Sequence, residues 1–85
     1  MPHGVDIQVD GNSTCSVVHV DGDINWKTST QVRTAILEAM NGCEDRMVVD
    51  LKGVKHIDTV GASILVRAFD EAEKRKIDFL LTGLN

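Results

Sequence analysis

Val5, Ile7 and Val9 alternate with Asp6, Gln8 and Asp10, the period-two pattern of a strand with one buried and one wet face. Asp10-Gly11 supplies turn chemistry and the run Cys15 to Val20 follows, so the first two strands are expected to form an antiparallel hairpin, its loop lengthened by Asn12, Ser13 and Thr14. Beyond Asp21-Gly22-Asp23, the residues Val32, Ala35, Ile36, Ala39 and Met40 fall at helical offsets. Thr28 and Gln31 have the spacing of a capping box at the start of that helix, and Asn41-Gly42 offers a left-handed stop at its end. Met47, Val48, Val49 and Leu51, interrupted only by Asp50, read as a central strand covered on both faces. The stripe Val60, Ile64, Leu65, Ala68, Phe69 and Ala72 marks a second helix, and Ile77 to Leu81 a last strand.

The pattern predicts strands near 5–9, 15–20, 46–51 and 77–81 and helices near 29–41 and 60–74. This is an α/β chain: an antiparallel hairpin edge followed by a βαβαβ run. Parallel strands joined by right-handed helical crossovers place both helices on one face of a four-stranded mixed sheet. Val48, Val49, Leu51, Ile64, Leu65, Ala68 and Phe69 are the expected core, and removing the Phe69 ring should cost about 3 to 5 kcal/mol. With helices on one face only, the other face or an open edge calls for cover, and some tendency to homodimerise is expected. Arg67/Glu71 and Asp70/Lys74 have the spacing of i,i+4 ion pairs on the second helix.

With 85 residues, 42% of them hydrophobic, the chain has material for one domain over 1–85 and little for a deep substrate cavity. A net charge of −4 provides no basic field for DNA or RNA, so nucleic acid is not an expected partner. No apolar run is long enough to span a bilayer, and Met1-Pro2-His3-Gly4 does not begin a signal peptide, which implies a cytoplasmic setting. Cys15 and Cys43 read as ordinary thiols in that compartment.

In an open α/β sheet, chemistry gathers beyond the carboxyl ends of the parallel strands. Here that rim is expected to comprise Asp21 to Asn25, Val54 to Gly61 and Gly83 to Asn85, with Asp23, Asn25 and His56 at its margin. Asp58 or Thr59 sits at the helix N-cap, where an oxygen acceptor meets free N–H groups and the positive end of the helix dipole. The plain reading is a cap; the sharper one is a phosphorylatable hydroxyl on a helix N-terminus, with Gly61 keeping the backbone accessible. Asp21, Asp23 and Asn25 open like a calcium loop, but Trp26 and Val32 stand where such a loop needs Gly and Glu. His3, His19 and His56 lack zinc-ligand spacing. No nucleophile elbow and no phosphate-cradling glycine motif occurs, so neither a catalytic residue nor a cofactor is expected. Trp26, just ahead of a helix, is expected to fold onto that helix more readily than to anchor a partner.

The run Val48-Val49-Asp50-Leu51-Lys52-Gly53-Val54-Lys55-His56-Ile57-Asp58-Thr59-Val60-Gly61-Ala62 resembles the signature of STAS domains. Gly22-Asp23-Ile24-Asn25 is similar to that family's segment after the second strand, and Phe79 to Asn85 to its last-strand segment, so the resemblance spans nearly the whole chain. It implies a non-enzymatic interaction module, with the loop Asp58, Thr59, Val60, Gly61, Ala62 and Ser63 facing the partner. Anti-sigma factor antagonists of the family usually read D-S-[ST]-G and carry the phosphorylated hydroxyl just before the glycine. Val60 occupies that place here, leaving Thr59 as the candidate phosphorylation or switch residue.

The order Asp58-Thr59-Val60-Gly61 is similar to the D-T-x-G of STAS parts in ABC transporters for phospholipids and organic solvents. That likeness implies a regulatory module bound by, or fused to, the transporter's permease and ATPase. The alternative is an anti-sigma factor antagonist that binds a kinase-type anti-sigma factor. Family members commonly continue past the last strand with another helix, so the chain is expected to be a piece of a longer protein.

Overall fold

The computed structural model describes residues 4–12 and 14–83. The elements are β1 (Val5–Gly11), β2 (Cys15–Ile24), α1 (Ser29–Asn41), β3 (Arg46–Ile57), α2 (Thr59–Lys74) and β4 (Asp78–Thr82). They form one four-stranded sheet in the order β1-β2-β3-β4, with β1 antiparallel to β2 and the other pairs parallel. The α/β architecture expected from the pattern is the one observed.

One face of the sheet carries the core. Val18 and Val20 of β2 and Met47, Val49 and Leu51 of β3 are buried against Val32, Ile36 and Met40 of α1 and Leu65, Ala68 and Ala72 of α2. Val48 projects the other way and is half-buried, because successive strand residues alternate between faces. Phe69 is a larger departure from expectation. It lies at the margin of the helical stripe, is 44% exposed, and meets Phe79 of β4 edge to face at 6.2 Å.

The helix ends also differ from the expected chemistry. The Thr28 hydroxyl makes no cap bond to α1; it donates to the Asp23 carbonyl at 2.8 Å, while Gln31 reaches the Val5 carbonyl of β1 at 3.3 Å. α1 closes at Gly42 with φ −95°, outside the left-handed region. Glu71 pairs with Arg75 at 2.9 Å and not with Arg67, and Asp70/Lys74 is not among the ion pairs of the described residues. Arg75 also donates to Asn41 at 2.7 Å, joining the far ends of the two helices. Both cysteines are free, and burial pushes the Cys43 thiol above its ordinary value.

The two central strands run past the expected limits. Asp21 to Ile24 and Gly53 to Ile57 remain paired, with irregularities after His19 and after Gly22 that absorb the extra residues. β4 ends opposite Asp50, so Gly83 lies beside Lys52, well short of the rim where it was expected. Leu84 and Asn85, placed on the same rim by the sequence reading, are outside the described residues.

Candidate functional site

The rim is built where β2 and β3 end together, Ile24 opposite Ile57. Asp58 follows directly and is the N-cap of α2: its Oδ1 accepts from the Gly61 N–H at 2.8 Å. Its Oδ2 accepts from the Trp26 N–H at 3.1 Å. One carboxylate thus satisfies an orphan donor of the helix and fixes the loop after β2. The Asp58 N–H donates to the Ile24 carbonyl at 3.1 Å, closing the same junction from the backbone side.

Gly61 is buried, and its role differs from the open access expected of it. A Cβ there would collide with the Ile24 carbonyl oxygen and lie 2.7 Å from the Ile24 methyl. The glycine lets the first turn of α2 sit directly on the end of β2.

Thr59 is the first residue of α2 and is exposed; its hydroxyl makes no hydrogen bond among the described residues. The cap is therefore Asp58, and Thr59 is free of that duty. Ser63, one turn on, donates to the Thr59 carbonyl at 3.0 Å, and Ala62 and Ser63 are both exposed. Val60 is 44% exposed.

The marginal residues divide by role. Asn25 holds its own loop, its Oδ1 accepting from Lys27 N–H at 2.8 Å and Thr28 N–H at 3.1 Å. Asp23 and His56 stand opposite one another in the β2–β3 ladder, with His56 exposed.

Trp26 contradicts the expectation that it folds onto α1. Its ring is 66% exposed, with the Lys27 ammonium 5.4 Å from the ring centre. Tethered through its backbone to Asp58, it is exposed on the same rim as Ile57, Thr59 and Val60, which flank Asp58 in the chain. The sequence showed the tryptophan but not this placement, because the residues that fix it are 32 positions apart. Among the described residues no cluster of His, Cys, Asp and Glu has metal-holding geometry, and no helix is long and apolar enough to cross a membrane.

The sequence has no match among curated proteins. Among solved structures it is similar to an anti-sigma factor antagonist from Mycobacterium paratuberculosis, with 26% identity and a TM-score of 0.82 over 95% of this chain and 68% of that one. The fold is shared with SpoIIAA, an anti-sigma factor antagonist, in its unphosphorylated form, at 14% identity and a TM-score of 0.77 over 94% of this chain and 74% of that one. It is shared also with the antisigma-factor antagonist STAS domain from Rhodobacter sphaeroides, at 14% identity and a TM-score of 0.76, covering 93% and 86%. A family model described as STAS domain matches residues 6–85, and the chain belongs to the STAS domain family.

Proposed function

We propose that this chain is a non-enzymatic, cytoplasmic protein-interaction module of the anti-sigma factor antagonist type, docking a kinase-type anti-sigma factor through the rim around Asp58. The observation that carries the reading is that Trp26, Ile57 and Val60 are all exposed at the rim that Asp58 ties together, beside the unengaged hydroxyl of Thr59. Exposed aromatic and aliphatic side chains on a rigid frame are what a protein interface uses as anchors. The 26% identity to an anti-sigma factor antagonist across 95% of the chain supports the same class. The reading assigns no catalytic residue and no cofactor. Thr59 is the switch residue in it: a phosphate there adds about −1.5 to −2 charge at the surface that the partner must desolvate.

A second reading follows from one feature of the rim. Val60 stands at the position before the glycine, and the order Asp58-Thr59-Val60-Gly61 is similar to the D-T-x-G of STAS parts in phospholipid or organic-solvent ABC transporters. Here the partner is the transporter's ATPase or permease, and the surface is the same.

Titration calorimetry separates the two. The wild-type chain, Thr59→Glu and Val60→Asp are each titrated with a purified anti-sigma kinase and with a purified transporter ATPase from the source organism. Binding of the kinase, lost in both variants, is expected. Binding of the ATPase alone transfers the site to the second reading, and binding indifferent to both substitutions removes the rim from the interface.

A further inference from the structure

We propose that the helix-free face of the sheet is a second docking surface, for a basic amphipathic segment of a partner protein. Three of the four strands run parallel, and parallel strands are ordinarily covered on both faces. Here the core lies on one side only. The other side is not uniformly polar: Val17, Val48 and Leu80 are register partners across β2, β3 and β4, forming an apolar row. Val17 and Val48 are half-buried, and Leu80 is 46% exposed.

The charge around that row selects the occupant. Asp10 stands opposite Val17 at the β1 end. Two register positions on, in the next row of the same face, His19 lies between two carboxylates, its Nδ1 3.0 Å from Asp50 and its Nε2 3.3 Å from Asp10. Asp21 folds over Gly53, where a Cβ would collide with its carboxylate. Beside it is a depression of about 270 Å3 bordered by Asp10, His19, Asp21 and Asp50. A neighbouring depression adds Asp6 and Asp23. Five carboxylates thus line the two depressions against Lys52 and Lys55, three more negative charges than positive.

A second copy stacked face to face would bring these carboxylates against one another, which like-charge repulsion opposes. A helix with leucine-type residues along one side and arginine or lysine beside them would cover the Val17-Val48-Leu80 row and place its cations among the carboxylates. This surface is the broad face of the sheet, separate from the rim at its end, and its occupation does not depend on what the rim binds.

The probe is a helical peptide with a Leu face flanked by Arg, followed by amide chemical shifts and titration with the 85-residue chain; a scrambled peptide of the same composition is the control. We expect shifts confined to the four strands, and affinity at least about tenfold weaker for the scrambled peptide and for Asp6→Lys/Asp10→Lys. Leu80→Ser should weaken binding too, while Val66→Ser on the exposed side of α2 should not. Equal binding of the scrambled peptide, shifts on α1 and α2, or no binding overturns the proposal. So does sedimentation showing a dimer that Leu80→Ser dissociates, since the occupant is then a second copy.

Discussion

The carboxylate of Asp58 holds the backbone N–H of Trp26 at 3.1 Å while its other oxygen caps α2 at Gly61. Two loops that the sequence keeps apart are therefore one structural unit at the rim, and the backbone beneath the exposed indole is held by the N-cap residue of α2.

Asp58→Ala should accordingly lose both functions. Loss of an N-cap alone costs about 0.5 to 2 kcal/mol, and the value here is expected in the upper half of that range. Asp58→Asn separates the functions: its carboxamide oxygen can still accept from Gly61, but its NH2 group cannot accept from Trp26. Its thermal melt should stay close to wild type while the emission of the single tryptophan changes. Unaltered emission in both variants would show that the tether does not hold the indole.

Gly61→Ala tests the contact beneath the cap. The added methyl meets the Ile24 carbonyl, a backbone atom in a strand that cannot give way cheaply. Overpacking of this kind costs about 1 to 3 kcal/mol. Denaturant midpoints would check it. A variant as stable as the parent would mean that the helix can lift from β2 freely.

Much of this fold was legible in the sequence. Period-two alternation in β1 and the helical offsets of α1 and α2 are local signals, and the observed elements follow them closely. The ends of β2 and β3 were not legible, because Gly22 and Gly53 look like strand terminators when only the chain is seen. In the sheet they sit inside the ladder, Gly22 with φ +109° and Gly53 beneath Asp21. The cap at Asp58 could be narrowed to two residues, since both Asp and Thr accept from helix N–H groups, and geometry decides between them. Trp26 was misplaced onto α1, since nothing local in the chain shows the tie of its backbone to Asp58, 32 residues away.

Phe69→Ala illustrates the same limit in energetic form. A helical stripe assigns Phe69 to the core, where its truncation would cost about 3 to 5 kcal/mol. Its ring is 44% exposed and its main aromatic contact is Phe79. About 1 to 2 kcal/mol is expected instead, part of it from the aromatic pair. A double-mutant cycle with Phe79→Ala should show the coupling; strict additivity would show that the two rings do not support each other.

Acid unfolding should report the bridge across the open face. The Asp50 carboxyl is held below its ordinary value of 3.8, first by the Lys52 N–H at 3.0 Å and next by the His19 ring. A carboxyl lowered in the folded chain contributes stability that is fully present above its unfolded value and disappears as pH falls through the folded one. The loss therefore begins near pH 4 and deepens below it. Asp50→Asn keeps an acceptor for Lys52 but cannot bear the charge, so its denaturant midpoint should fall less steeply than wild type below pH 4. Identical slopes for the two proteins would mean that Asp50 does not contribute to the acid limb.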